Sequence, residues 1–276
     1  MQVFQNIQDL KGVLQEARQD RLKIGFVPTM GALHPGHISL IEEARKNCDL
    51  VVCSIFVNPT QFNDPKDLER YPRTLEKDYQ MLEEASCDCV FSPSVTEIYP
   101  EKDNRKFDFG RLDQLLEGKH RPGHFNGVAQ VVSRLFDIVE PDMAFFGQKD
   151  YQQLMIVRAM VKQLGYKVQI VSCPIMREPD GLAMSSRNAL LSPEERKAAS
   201  LLPECMHRVK TLFGRKTIEE IKAEVREMIR KEPLLRYEYL EICNTETLEP
   251  YDGNGKAVAL IAVYAGNIRL IDNLEL

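Results

Sequence analysis

The sequence has no tryptophan, only five histidines, and no cysteine pair at CxxC spacing. Its seven cysteines, Cys48, Cys53, Cys87, Cys89, Cys173, Cys205 and Cys243, are odd in number and scattered, which fits neither a zinc ribbon nor a disulfide framework. Several lie in apolar runs such as LVVCSIFV, where a thiol behaves as a small hydrophobe, so a reducing cytoplasm is the expected location. No run approaches the roughly 18 apolar residues of a membrane span. The N-terminal stretch MQVFQNIQDLKGVLQEARQDR reads as an amphipathic helix rather than a signal peptide. Basic residues are not in excess either: Lys plus Arg total 36 against 41 Asp plus Glu, a net charge of −5. Nucleic acids and anionic membranes need concentrated positive charge and are poor partners for such a chain. Repeats and low-complexity tracts are also missing. At 276 residues, 43% hydrophobic and 28% charged, this is a globular chain of one large or two ordinary domains whose expected partner is a small molecule.

The first two thirds alternate β-branched runs with helical patterns. Strands are expected at 23–28, 50–57, 89–91, 142–146 and 167–172, with helices at 37–48, 74–85, 126–139 and 150–164, Thr74 capping the second. Strand and helix in strict turn predict a doubly wound parallel sheet covered on both faces. After Cys173 and Pro174 a loop-like stretch gives way to two helices, the first opened by SPEE at 192–195, and then to strands. DGNG at 252–255 is expected as a hairpin turn between YEYLEIC and KAVALIAVY. The reading is a domain over 1–175 and a smaller α+β domain over 176–276. The poorly patterned region 93–123 is expected to form a mobile loop over a site.

Four blocks carry chemistry. PTMGALHPGH (28–37) joins the first strand to the first helix, where strand ends and a helix N-terminus receive phosphates, and it sets His34 and His37 three residues apart. It is neither a P-loop nor a GxGxxG loop. FFGQKD (145–150) ends another strand, with Lys149 able to reach phosphate and Asp150 ribose; MSSRN (184–188) sets two hydroxyls and the Arg187 guanidinium together for a polyphosphate. NPTQF (58–62) offers the amides of Asn58 and Gln61, and Gln153 lies one helical turn beyond Lys149, suiting an uncharged grip on a hydroxy acid. Each block alone also fits an ordinary turn or cap. No residues form an obvious metal-ligand set.

Taken together, PTMGALHPGH, SIFVNPTQF, YPRT, RPGHFNGV, FFGQKDYQQL and MSSRNALLSPEER resemble, in order and spacing, the pantoate–β-alanine ligases (pantothenate synthetases), members of the HxGH nucleotidyltransferase superfamily. More distantly the pattern is similar to the adenylylating half of class I aminoacyl-tRNA synthetases, with MSSRN where those have a lysine-rich loop. The resemblance implies a Rossmann-like doubly wound α/β domain binding ATP and pantoate, with a smaller C-terminal α+β lid. It implies ATP as substrate, Mg²⁺ arriving on its phosphates, pantoate and β-alanine as the other substrates, and a homodimer formed through the N-terminal domain.

By the same resemblance, His34, His37, Lys149 and Arg187 are the catalytic residues, His37 being the position usually named proton donor. ATP contacts are implied for Met30, Gly31, Ala32, Leu33, His34, Pro35, Gly36 and His37, for Gly147, Gln148, Lys149 and Asp150, and for Met176, Met184, Ser185, Ser186 and Arg187. Gln61, Gln153 and Asn58 are implied for pantoate and β-alanine, with Arg121 secondary. Pro35 stiffens the turn between the histidines, and Asn63 and Asp64 follow NPTQF where a glycine often stands. Two other readings are a nucleotidyltransferase with a phosphorylated acceptor, which the amide-rich block disfavours for want of a basic cluster, and a non-catalytic nucleotide sensor, which had no need to keep His34, His37, Lys149 and Arg187.

Overall fold

The computed structural model describes residues 1–276 as two compact units, one of Met1–Gln148 with Gln153–Pro174 and one of Ile175–Leu276 with Lys149–Gln152. The first contains β1 (Gln2–Phe4), α1 (Ile7–Gln19), β2 (Ile24–Thr29), α2 (Pro35–Asn47), β3 (Leu50–Ile55), α3 (Pro65–Arg70), α4 (Leu75–Glu84), β4 (Cys89–Phe91), α5 (Val95–Ile98), α6 (Leu116–His120), α7 (His124–Val139), β5 (Met143–Gly147), most of α8 (Tyr151–Leu164) and β6 (Gln169–Cys173). Its six strands form a parallel sheet in the order β1-β4-β3-β2-β5-β6. Side chains alternate across each strand, so Phe26 and Val52 join α1, α7 and α8 on one face while Val27 and Cys53 join α2 and α4 on the other. Each fully buried Phe or Leu in these layers contributes about 1.5–3 kcal/mol.

Strand pairing also opens the site. β2 pairs with β3 from Ile24–Leu50 through to Thr29–Ile55, but with β5 only at Gly25–Met143 and Phe26–Ala144. Pro28 has no N–H to give to a ladder, and the two strands part there. Strand order reverses between β2 and β5, so the parting falls at the topological switch point, where open α/β sheets take ligands.

The second unit holds α9 (Pro193–Ala199), α10 (Leu201–Leu212), α11 (Ile218–Arg230) and the antiparallel sheet β7 (Leu235–Asn244), β8 (Ala257–Ala265) and β9 (Ile268–Glu275). In α11, Ile221, Val225 and Ile229 repeat every fourth residue and are buried with Leu202, Met206 and Val209 of α10. Reciprocal Ser192–Glu195 and Thr217–Glu220 capping boxes start α9 and α11.

Several local expectations change. The N-terminal helix begins only at Ile7, because Gln2–Phe4 pairs with β4 as an edge strand too short to show a periodicity. Thr74 occupies the N-cap of α4 without capping it; its hydroxyl donates to Asp78 instead. The β7–β8 connection spans 245–256, not a tight turn at 252–255, since Asn244 N–H reaches back to the Glu249 carbonyl. Part of the 93–123 region is stapled to α7. Asp103 accepts from Arg105 and Arg134, Gln130 donates to the carbonyls of Asp103 and Arg105, and Asn126 accepts from Phe107 N–H. No helix is long and apolar enough to cross a membrane.

Candidate active site

The turn after β2 is bent by Gly31 (φ 78°) and Ala32 (φ 49°), two consecutive left-handed residues. A side chain on Gly31 would lie 2.9 Å from Ile55 Cγ2 and 3.0 Å from Asp78 Oδ2, so only glycine fits. Asp78, 1% exposed, holds the bend: one carboxylate oxygen accepts from Ala32 N–H at 2.9 Å, the other from Leu33 N–H at 2.8 Å and Thr74 Oγ1 at 3.0 Å. A left-handed alanine costs on the order of 1–3 kcal/mol and persists only where its surroundings fix it.

The bend delivers His34 to the N-cap of α2 and His37 to its first turn, with Pro35 at the first helical position. Their rings form a capping box. His34 Nδ1 accepts from Gly36 N–H at 3.1 Å, and His37 Nδ1 accepts from His34 N–H at 3.4 Å, with ring centroids 4.1 Å apart. A nitrogen that accepts a backbone proton carries none of its own, so both rings hold their protons on Nε2. Two Nε2–H donors therefore stand at the positive end of a helix whose first turn has no acidic residue, an arrangement suited to an anion.

Beside this turn lies the amide block. Gln61, 8% exposed, donates from Nε2 to Met30 Sδ at 3.0 Å and accepts at Oε1 from Asn58 Nδ2 at 3.1 Å. Met30, expected among the adenosine contacts, is thus tied to the amide side of the turn. Asn58, expected as a substrate contact, is bonded within the protein. Its amide protons are committed to Gln61 and to the Gly127 carbonyl, and its Oδ1 to the Tyr99 hydroxyl at 2.9 Å and that of Thr60 at 3.1 Å. Every hydrogen-bonding position of Asn58 is thus filled by a protein partner, Gln61 among them. Gln153 is half-buried near the start of α8, and Gly147 ends β5 with open space where a Cβ would stand. Arg121 donates to His124 at the start of α7.

The second unit carries the other expected phosphate ligands. Lys149 and Asp150 follow Gln148, the last residue of the Met1–Gln148 stretch of the first unit, in a 3-10 turn directly after β5; Lys149 Nζ is 3.9 Å from Asp150 Oδ2, and the Lys149 carbonyl accepts from Asn273 at 2.8 Å. Met176 and Met184 are neighbours, the N–H of Met184 donating to the carbonyl of Met176 at 2.9 Å. The Arg177–Asp272 pair, at 2.7 and 3.0 Å, fastens that segment to β9. Ser185 caps the 3-10 turn Ser186–Leu190 that contains Arg187, and Asn188 donates to the Ala183 carbonyl.

The sequence reading missed Asp78, Tyr99, His124 and Gly127. Asp78 had a signal: it falls three residues after Leu75 and four before Leu82, a charge on the apolar face of α4. His124 and Gly127 fall inside the RPGHFNGV block, which marks the segment but not their partners at Gln61 and Asn58; Tyr99 had no signal, because Asn58 lies 41 residues away. No group of His, Cys, Asp and Glu side chains is placed to hold a metal ion.

The family model described as pantoate-beta-alanine ligase matches residues 2–275. The chain belongs to the pantoate–β-alanine ligase family. Its similarity to other members of the ligase family spans their full length. Pantothenate synthetase of Porphyromonas gingivalis is 52% identical, with 100% of this chain and 99% of that protein covered. The Bacteroides thetaiotaomicron pantothenate synthetase is 48% identical over the same shares. Among solved ligase structures, the Thermus thermophilus pantothenate synthetase superposes with a TM-score of 0.93 at 46% identity, covering 100% and 99% of the two chains. The Francisella tularensis pantoate-β-alanine ligase, complexed with beta-gamma ATP and β-alanine, gives 0.85 at 36% identity, covering 100% and 97%.

Proposed function

We propose that the protein condenses pantoate with β-alanine at the expense of ATP, through a pantoyl adenylate. A carboxylate resists amines until one of its oxygens becomes part of a good leaving group. In the first step a pantoate oxygen attacks the α-phosphorus and pyrophosphate departs; in the second the β-alanine amine attacks the acyl carbon and AMP departs with that oxygen. The observation that carries this reading is the pair of histidines with Nδ1 bound to the α2 N-terminus, beside the Gln61 amide, in a chain of this family.

The first step gathers charge from three phosphates and a carboxylate, and two Nε2–H donors at the positive end of α2 offset the charge that builds on the α-phosphate. With Nδ1 held by backbone, His34 and His37 act as oriented hydrogen-bond donors, and the role assigned to His37 is charge stabilisation more than delivery of a proton. Gln61 and Gln153 are assigned to pantoate, Gln61 also facing β-alanine. An uncharged amide orients a carboxylate without the ion pair that weakens it as a nucleophile. Lys149, Ser185, Ser186 and Arg187 are assigned to the phosphates, Gly147 and Asp150 to ribose, and Met176 and Met184 to adenosine. ATP is read as entering with Mg²⁺, the ion held by phosphates and water.

All seven cysteines are free thiols, which supports a reducing cytoplasm. The protein is further read as a homodimer through its N-terminal domain, and a monomer mass in light scattering refutes that. For the activity, incubation with ATP, Mg²⁺, pantoate and β-alanine is expected to yield AMP and pantothenate in equal amounts. Pyrophosphate with neither AMP nor amide product contradicts it.

A further inference from the structure

One buried histidine stands outside the machinery assigned above. His124 opens α7, is 6% exposed, and bonds through both ring nitrogens: Nδ1 lies 2.7 Å from the main-chain carbonyl oxygen of Gln61, and Nε2 lies 3.1 Å from an Arg121 guanidinium nitrogen. A guanidinium only donates and a carbonyl only accepts. The ring therefore accepts at Nε2 and donates from Nδ1, and a single neutral tautomer satisfies both contacts. It is the opposite tautomer to that of His34 and His37.

What it holds is the short 3-10 turn Pro59–Gln61. Gly127 lets α7 come against that turn, since a Cβ there would stand 2.3 Å from the Thr60 carbonyl oxygen and 2.8 Å from Gln61 Cα. The Gly127 carbonyl accepts from Asn58 at the front of the turn, and His124, three residues earlier on the same face of α7, donates to Gln61 at its end. We propose that His124 is a positioning residue for Gln61, fixing the main chain from which the acid-binding amide projects, with Arg121 selecting the ring tautomer that does so. The proposal rests on the assignment of Gln61 to pantoate.

The test moves one nitrogen at a time. In His124→Asn the side-chain amide N–H stands near the Nδ1 position and keeps the bond to Gln61; in His124→Gln the amide stands near Nε2 and loses it. The pantoate KM is expected to stay near wild type in the asparagine variant and to rise about tenfold in the glutamine variant, the order expected for one displaced hydrogen bond at a binding site. The ATP KM and the melting temperature are expected to match between the two. Equal pantoate KM values in the two variants, or a parallel rise in ATP KM, overturn the proposal. Wild-type ¹⁵N ring shifts provide a check without substitution: an Nδ1–H tautomer is expected for His124, and Nε2–H overturns the proposal. A wild type that makes no AMP from pantoate and β-alanine removes the Gln61 assignment and the proposal with it, an outcome distinct from an active wild type with indistinguishable variants.

Discussion

Asp78→Asn tests whether the bend before α2 is what places the two histidines. In the native turn the carboxylate takes Leu33 N–H at 2.8 Å, Ala32 N–H at 2.9 Å and the Thr74 hydroxyl at 3.0 Å. Asparagine keeps the shape but turns one oxygen into an NH₂ group that must face a backbone donor. A hydrogen bond to a charged group is worth about 1.5–3 kcal/mol net against about 0.5–1.5 for a neutral one, and a buried opposed donor costs about 1–3. The bend is thus weakened by about 2–4 kcal/mol, a shift of about 30- to 1,000-fold in its population. The left-handed Ala32 relaxes once its carboxylate anchor is weakened. The assay is rapid-quench adenylate formation with ATP and pantoate, paired with thermal unfolding. Adenylation is expected to slow by about 30-fold or more, and the melting temperature to fall by several degrees. Wild-type adenylation with an unmoved melting temperature refutes the claim that Asp78 holds the histidines.

Other perturbations separate binding, chemistry and stability. His34→Ala and Lys149→Ala are expected to slow single-turnover adenylation by about 10²–10³-fold, the cost of one preorganised donor, while leaving the melt unchanged; unchanged adenylation in both removes their assigned roles. Gly147→Ala puts a methyl into open space, so stability is expected to hold or to rise by up to about 1 kcal/mol while ATP KM increases; an unchanged ATP KM takes Gly147 out of the nucleotide contacts. Burial pushes the Cys87, Cys205 and Cys243 thiols up to about 12. A thiol whose folded pKa exceeds its unfolded value adds stability that is whole below about pH 9 and is lost as pH rises toward 12, by up to about 1.4 kcal/mol per pH unit for each. Urea unfolding should therefore show stability declining above pH 9, with Cys205→Ala flattening the slope; an unchanged slope in that variant contradicts the thiol origin.

Local pattern and long-range partnership divide what the sequence displays. The strand-to-helix turn that carries His34 and His37 is visible because a β-branched run, a glycine-rich turn and an amphipathic run succeed one another within a few residues. Asp78 binds Leu33 and Ala32 across 45 and 46 residues, a distance over which no periodicity speaks. Asn58 looks like a ligand amide in one dimension, because only the folded chain brings Gly127 and Tyr99 to it. The β1 strand is three residues long and owes its existence to β4. Lys149–Gln152 sits in the middle of a stretch assigned to the first unit yet clusters with the second, partly because Asn273 and Thr245 bond to Lys149 and Tyr151.

In the proposed adenylate route a carboxylate oxygen of pantoate becomes the bridge to AMP. Pantoate labelled with ¹⁸O in both carboxylate oxygens, turned over with ATP, Mg²⁺ and β-alanine, is expected to transfer one ¹⁸O to AMP per amide formed and to keep the other in the product carbonyl. Label found in inorganic phosphate, or AMP with no label beside newly made pantothenate, contradicts the adenylate route.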